Sequence, residues 1–315
     1  MKKVLFLASV LMLVASCKEE KTVAQAEVIP GIVLENMDSL VSPKDDFYNY
    51  VNGNWMKTTE IPDDRTSWGG FTVLRKSTDN DVLEILAKAK ESNAYGPETD
   101  QAKALAIFDT KLDSTARNEA GLAPLQPALD AISAIKDLSD LQTVLATNPA
   151  VSSPFISIGA GADLNNSSIN AVYLGANGLG LPDRDFYLDQ DEKSKEIRTK
   201  YKEHIAKMLQ RLGDSESDAV AAADRILELE TQLAEPRLNK VERRDARNYN
   251  NPRSIADVDA MLPSIDFNKM ISDLGITKKF DTLLLTQLRY TEALDTFLKD
   301  TPIEDIKTLV RWDTF

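Results

Sequence analysis

The sequence has 315 residues, of which 43% are hydrophobic and 28% are charged, and its formal net charge at pH 7 is −13. This composition is ordinary for a globular protein, and the length allows one large domain or two small ones. Nucleic acids and anionic lipid surfaces are polyanions, so the acidic balance argues against either as a partner. The single cysteine, Cys17, excludes an intramolecular disulfide, and the single histidine, His204, excludes a two-histidine zinc site such as HExxH.

Residues 1–17 have the pattern of a secretory signal. Lys2 and Lys3 precede the short apolar run Val4–Val14, and small residues lead to Cys17. The run is too short to span a bilayer. A cysteine at the small-residue cleavage site is similar to the lipobox of bacterial lipoproteins, in which Cys17 is lipidated and becomes the first residue of the mature protein. The alternative is an ordinary signal peptide that contains a cysteine by chance. We therefore expect an exported protein, anchored by lipid to a bacterial membrane and facing the periplasm or the cell exterior.

The next two segments differ in composition. Residues 18–42 are polar, then mixed, without a sustained period, and Pro30-Gly31 interrupts them, which predicts a flexible tether. Residues 43–75 concentrate aromatic side chains together with turn-forming residues. Because aromatic side chains bury a large area each, we expect this segment to be tightly packed.

Helical periodicity dominates the rest of the chain. Apolar residues recur three and four positions apart in successive stripes, of which the longest ends at Gly213, a residue typical of a helix C-terminus. Thr301-Pro302 indicates the start of a last helix. Its apolar stripe still continues when the sequence reaches Phe315, from which we expect the polypeptide to be incomplete.

Alternating apolar residues appear near residues 155–175 and predict a small β-hairpin. The hairpin leads into Tyr173–Leu188, where Gly175, Gly178 and Gly180 allow positive φ or the close approach of another segment. Pro182 fits the first turn of a helix. This order favours a strand-to-helix junction. A phosphate-binding loop is disfavoured because neither GxxxxGK[ST] nor GxGxxG is present. The fold class that these patterns predict is mainly α, with many helices and this one hairpin.

Candidate chemistry is sparse. His204 lies on the longest predicted helix and is expected to be solvated or satisfied there. A Ser-His-Asp triad would need His204, and no GxSxG accompanies it. Charged residues are densest between Glu228 and Arg247. They allow a catalytic network, but a structural set of ion pairs at a helix end is favoured, because arginine and carboxylate groups pair without any ligand.

Three segments in register resemble the neprilysin-like zinc metallopeptidases, and the ending PIEDIKTLVRWDTF resembles them as well. The segments are Asp46–Arg75, Val172–Leu188 and Leu227–Asn250. The resemblance implies that residues 43–315 form the family's largely helical N-terminal domain, which caps the active-site cavity and restricts substrates to oligopeptides. The family's zinc is held by a later HExxH helix and a further glutamate. None of these ligands exists in this sequence, so we expect no catalytic residue, no bound metal and no activity from this chain alone.

The resemblance also implies a candidate substrate contact. Family members that bind the terminal carboxylate of a peptide carry an arginine where Ser67 stands, an acidic residue where Thr72 stands, and an arginine matching Arg75. Only the last is kept, which favours an endopeptidase over an enzyme that releases dipeptides. Ser67, Trp68 and Arg75 are therefore possible cavity residues. Core packing of Trp68 and an ion pair of Arg75 are the favoured alternatives.

Three functions stay open at this point. The first is the N-terminal part of a lipid-anchored zinc endopeptidase that acts on oligopeptides. The second is a non-catalytic helical lipoprotein that binds peptides or glycans at the cell surface. The third is a cap without activity that regulates a separately encoded catalytic chain.

Overall fold

The computed structural model describes residues 31–315, which form two compact units divided after Leu112. The predicted signal peptide, Cys17 and residues 18–30 of the predicted tether lie outside the described residues. Among the helices from residue 31 onward, none combines the length and the apolar character that a membrane span requires.

The first unit is helical. Its helices are α1 Phe47–Thr58, α2 Gly70–Ser92 and α3 Asp100–Leu112. Helix α1 begins where the Asp46 side chain accepts a hydrogen bond from the Asn49 main-chain N–H at 2.9 Å, as expected of an N-cap aspartate. Helix α2 is followed by Asn93, whose φ of 48° is left-handed. An ion pair of 2.7 Å between Lys90 and Asp109 connects α2 with α3.

Part of the predicted tether contacts helix α1. Residues Leu34–Asn36 form a short 3₁₀ helix. The buried carboxylate of Asp38 lies 2.5 Å from the Lys57 ammonium group, and the Asn54 side chain donates to the Met37 carbonyl at 2.7 Å. Residues 34–38 are thus held against helix α1, whereas a tether over residues 18–30 stays a prediction.

Helix α2 presents many apolar side chains to solvent. None of its 23 residues is buried, and Phe71 is 93% exposed. The other large exposed apolar residues of this helix are Val73, Leu74, Val82, Leu83 and Ile85. Tight packing was expected of the aromatic residues in 43–75, and this prediction is wrong for Phe47, Tyr48 and Phe71, which are all exposed.

The second unit contains most of the helices in the described part of the chain. They are α4 Ser114–Ala120, α5 Gln126–Ser133, α6 Leu138–Thr147, α7 Asp185–Leu188, α8 Glu192–Arg211, α9 Glu216–Ala234, α10 Ile255–Met261, α11 Phe267–Asp273, α12 Leu288–Asp300 and α13 Ile303–Thr314. Side chains of Asp191 and Ser215 cap α8 and α9. Gly213 follows α8 with a φ of 100°, as its position in the sequence predicted. The prediction of a mainly α fold is confirmed.

A four-stranded sheet completes the second unit. Its strands are β1 Ile156–Ala162, β2 Asn170–Ala176, β3 Asn251–Ser254 and β4 Thr282–Leu285, in the order β1-β2-β4-β3. The antiparallel pair β1–β2 is the predicted hairpin. Strand β4 pairs with β2 in parallel, with Leu285 opposite Leu174, so the carboxyl ends of these two strands meet at one edge of the sheet.

The hydrophobic core of the second unit lies around α8, α9 and α13. Ile205 and Leu209 from α8, Ile226 and Leu229 from α9, and Leu309 from α13 have no exposed surface. Fully burying such a side chain stabilises a fold by about 1.5–3 kcal/mol. The apolar stripe of α13 therefore packs inside this unit.

Two glycines of the segment after β2 allow close approach rather than positive φ. A Cβ atom on Gly175 would lie 2.3 Å from the Thr286 hydroxyl, and one on Gly180 would lie 1.7 Å from the Tyr201 hydroxyl. The predicted strand-to-helix junction is present, but α7 begins at Asp185 and not at Pro182.

Candidate functional site

A polar pocket at the start of helix α2 brings two of the three predicted cavity residues together. Its volume is about 270 Å³. It is lined by Arg65, Thr66, Ser67, Phe71, Thr72 and Arg75. Ser67 and Arg75 thus face one space, and hydroxyl groups, guanidinium groups and one aromatic ring surround it.

The backbone contributes positive charge to this pocket. Gly69 is extended and offers no side chain to cap α2, and the first turn of the helix contains no acidic residue. The Thr72 and Val73 N–H groups donate to the Gly69 carbonyl at 2.9 Å. The preceding N–H groups of the helix carry the positive end of its dipole, which attracts anions.

The two arginines of the pocket differ in their surroundings. Arg65 lies 3.3 Å from the Asp64 carboxylate. Arg75 is exposed, and among residues 31–315 no carboxylate lies within ion-pair distance of it. The ion pair expected as the alternative role of Arg75 is therefore not formed within this part of the chain. The guanidinium group of Arg75 and the exposed Phe71 ring together suit a ligand that has a carboxylate next to an apolar group.

Trp68 lies outside this pocket. It is half-buried, and the Lys76 ammonium group lies 5.6 Å from its ring centroid, a cation–π contact. The sequence did not single out Arg65. Its position in the sequence could have indicated it. Arg65 precedes Ser67 by two residues, so its guanidinium group can reach the space where Ser67 supplies no positive charge. A role of Ser67, Trp68 or Arg75 toward a substrate stays a prediction.

The described residues do not fit a zinc ion. Between residues 31 and 315, no group of three or more histidine, cysteine, aspartate or glutamate side chains converges to hold a metal. His204 is exposed, and its ring lies edge-on to Trp312 with centroids 6.0 Å apart. No step that uses zinc can be derived from these residues.

The dense charged cluster contains several ion pairs and one buried carboxylate. Glu242 accepts two hydrogen bonds of 3.0 Å from Arg289, and Asp245 pairs with Arg247. Both contacts are expected if these charges form structural ion pairs. Glu230, in contrast, is 3% exposed and accepts hydrogen bonds from the hydroxyls of Tyr187 and Tyr201 at 2.9 and 2.8 Å.

The Glu230 network ties several elements together. The Gly180 N–H also donates to the Glu230 carboxylate at 3.2 Å, and Trp312 Nε1 donates to the Tyr201 hydroxyl at 2.9 Å. Burial raises the pKa of Glu230, and it raises the pKa of both tyrosines as well. The carboxylate has no basic partner within ion-pair distance in the described residues, so the two tyrosine hydroxyls and the Gly180 N–H compensate its burial.

The comparison with known families decides the identity of the chain. The family model described as "Peptidase family M13", which represents the N-terminal region of that family, matches residues 43–315. The chain belongs to peptidase family M13. This family consists of zinc metallopeptidases that act on peptides, and it includes the neprilysin-like enzymes, so the predicted resemblance is confirmed.

Individual M13 relatives support the assignment. Endothelin-converting enzyme 1 of Mus musculus is 25% identical over 297 residues, which are 90% of this chain and 38% of that protein. The same enzyme of Rattus norvegicus is 28% identical over 247 residues, 76% of this chain and 32% of that protein. The zinc metalloprotease Zmp1 of Mycobacterium tuberculosis, solved with an inhibitor, superposes with a TM-score of 0.79 at 28% identity and covers 90% of this chain and 43% of its own. The chain spans less than half the length of each of these M13 relatives.

Proposed function

We propose that this chain is the N-terminal, substrate-capping part of a zinc metalloendopeptidase that cleaves oligopeptides. The observation that carries the proposal is the match of the M13 family across residues 43–315. The described residues contain no metal site, so the proposal assigns peptide-bond cleavage to a zinc-binding region of the kind that M13 enzymes possess, and substrate selection to this chain.

The pocket at the start of α2 is the part of this chain that we assign to the peptide. Arg75 supplies one guanidinium group without a carboxylate partner in residues 31–315, whereas Arg65 is engaged by Asp64. One such arginine binds an acidic side chain of a peptide. Family members that bind the terminal carboxylate of a peptide use a second arginine, at the position where this chain has Ser67. This difference supports internal cleavage of the peptide.

The exposed apolar face of α2 also supports a capping role. Contiguous apolar surface on a soluble protein marks a region that contacts another protein surface. Phe71, Leu74 and Ile85 are each more than 60% exposed, and they lie on a helix without a buried residue. We assign this face to contact with the zinc-binding region.

The location of the protein is part of the proposal. The signal pattern of residues 1–17 supports export, and Cys17 supports attachment of a lipid at the start of the mature protein. Attachment through lipid places the peptidase at a bacterial membrane, facing the periplasm or the exterior, where oligopeptides are the accessible substrates.

Reading the coding sequence past the codon for Phe315 tests the proposed function. An in-frame HExxH motif is the expected result. A stop codon at that position, together with specific binding of oligopeptides by the purified chain, would replace the proposal with a non-catalytic binding lipoprotein. A stop codon followed by a separate gene for a catalytic region would favour a regulatory cap.

A substitution tests the assignment of the pocket. In the enzyme that contains the zinc-binding region, Arg75→Gln should raise the KM for peptides with an acidic side chain near the cleaved bond by about tenfold, because one charged hydrogen bond is lost. Arg253→Gln, a substitution of the same charge change in the second unit, is the matched control. Equal KM values for both variants and the parent enzyme would remove Arg75 from the site.

A further inference from the structure

A second polar pocket lies in the second unit, where the parallel strands β2 and β4 end. Its volume is about 410 Å³. Asn177, Gly178 and Leu179 reach it from the segment after β2, and Thr286 and Gln287 reach it from the segment after β4. Ligands of open sheets with parallel strands bind outside the carboxyl ends of those strands, because the connecting segments diverge there and leave a crevice.

The backbone after β2 is open to a ligand. A Cβ atom on Gly178 would contact nothing within 4 Å, so this glycine faces free space and not a neighbouring segment. The neighbouring N–H groups on either side are in use: the Asn177 N–H donates to the Phe155 carbonyl at 3.4 Å, and the Gly180 N–H donates to Glu230 at 3.2 Å. Within residues 31–315, no hydrogen bond uses the N–H groups of Gly178 or Leu179. Adjacent N–H groups of this kind bind anions.

Arg237 lines the same pocket as a cation without an anionic partner. Its guanidinium group donates to the carbonyls of Leu233 and Asn177 at 3.1 and 2.6 Å, and it lies 5.0 Å from the Tyr290 ring centroid. In the described part of the chain, no carboxylate lies within ion-pair distance of Arg237, and its buried Nη2 atom makes no hydrogen bond. Burial lowers the pKa of Arg237, while Tyr290, Tyr187 and the more distant Glu230 carboxylate act in the opposite direction. A partly buried cation without an ion-pair partner attracts an anion in the adjacent pocket.

A second arginine stands at the rim. The Arg243 side chain is 53% exposed and lies 3.5 Å from the Asp183 carboxylate, a long contact that leaves most of its donors available. Asp183 also lines the pocket, and it is additionally 4.0 Å from Lys240. Arg184 is engaged by the carbonyls of Ala234 and Glu235. The pocket therefore has an excess of positive charge, although the whole chain carries a net charge of −13.

We propose that the pocket between the ends of β2 and β4 binds the carboxylate of a small organic acid or of a peptide terminus. The carboxylate accepts hydrogen bonds from Arg243 and from the Gly178 and Leu179 N–H groups, and its charge compensates Arg237. The volume exceeds what a carboxylate alone occupies, so a few further atoms of the ligand lie beside Pro182 and Leu238. This inference does not depend on the pocket at the start of α2, because all of these residues belong to the second unit.

Calorimetric titration of the full chain tests the inference with two matched probes. N-acetylglycine carries a carboxylate, and N-acetylglycinamide has an amide in its place. We expect N-acetylglycine to bind, and the amide to bind at least tenfold more weakly, since it has no charge for the arginines to contact. Equal affinities for the two probes would overturn the proposal, as would tighter binding of inorganic phosphate than of any carboxylate. Acetate and N-acetylglycylglycine distinguish the two sources: tighter binding of acetate assigns a free acid, and tighter binding of the peptide assigns a peptide terminus.

Variants show whether the bound carboxylate lies in this pocket. Arg243→Gln should lower the affinity for N-acetylglycine by about tenfold because one charged hydrogen bond is lost. Arg247→Gln removes the same charge at a side chain that is 90% exposed and paired with Asp245, and it should leave the affinity unchanged. Equal effects of the two variants would mean that the ligand responds only to the total charge, which contradicts the proposal. Both positions are at the surface, so the folding of each variant can be verified by its unchanged circular dichroism.

Discussion

Replacing Gly180 by alanine places a methyl group where the Tyr201 hydroxyl already lies. The added Cβ atom would be 1.7 Å from that oxygen and 2.6 Å from the ring carbon that carries it. Tyr201 has little freedom to move aside, because its hydroxyl donates to Glu230 at 2.8 Å and accepts from Trp312 at 2.9 Å. Either the tyrosine moves and these bonds break, or the segment after β2 moves and loses its own bond to Glu230.

The size of the effect follows from those two costs. Overpacking a well-packed interior costs about 1–3 kcal/mol. Leaving the buried carboxylate of Glu230 without one of its donors costs about 1–3 kcal/mol more. We therefore expect Gly180→Ala to lower the free energy of unfolding of the second unit by roughly 2–6 kcal/mol.

Gly178 provides the matched control two residues earlier. A Cβ atom on Gly178 meets nothing within 4 Å, and its φ is not positive. Gly178→Ala should change the free energy of unfolding by less than about 1 kcal/mol. The change should be stabilising, because alanine reduces the conformational entropy of the unfolded chain. Urea unfolding gives the free energies, and hydrogen exchange of the α8 amides assigns them to the second unit. Equal unfolding midpoints for the two variants would refute the packing that we describe around Gly180.

Further predictions concern pH, surface and membrane. Burial raises the pKa of Asp313 to about 6, above its usual value of 3.8, so the folded state holds this proton more tightly than the unfolded state. The stability that this proton contributes is complete below about pH 4 and is lost as the pH rises to about 6. The free energy of unfolding should therefore fall by up to about 3 kcal/mol across that range. Asp313→Asn should make this fall smaller in urea unfolding measured between pH 4 and pH 6. The full chain should bind a hydrophobic dye through the exposed face of α2, and Phe71→Ser together with Leu74→Ser should reduce the dye fluorescence; unchanged fluorescence would place the dye elsewhere. Cys17→Ser should move the protein from the detergent phase to the aqueous phase, and unchanged partitioning would contradict lipid attachment.

Local patterns predicted much of the second unit. The stripe of Ile205 and Leu209, the glycine after α8 and the hairpin of β1 and β2 each depend on residues close in sequence, and each is present. The pairing of β4 with β2 was not predictable in this way. Leu283–Leu285 is a short apolar run without alternation, and its partner lies more than a hundred residues earlier in the chain.

Burial of polar groups was equally hard to foresee. Glu230 stands in the sequence among residues that form surface ion pairs, yet its partners Tyr187 and Tyr201 come from two other helices. Helix α2 illustrates the opposite case. It begins at Gly70, inside residues 43–75, where the sequence predicted no helix. A helix can begin without a side-chain cap, and the exposed apolar residues of α2 are compatible with helix formation.

The most direct test of a peptidase role is hydrolysis by the native protein. Antibodies raised against residues 43–315 would isolate it from its own cells, and an internally quenched oligopeptide would report cleavage. We predict hydrolysis that a zinc chelator abolishes and added zinc restores, and no hydrolysis by the 315-residue chain alone. Native material that leaves the peptide intact, or that cleaves it equally well with the chelator present, would contradict the assignment of this chain to a zinc endopeptidase.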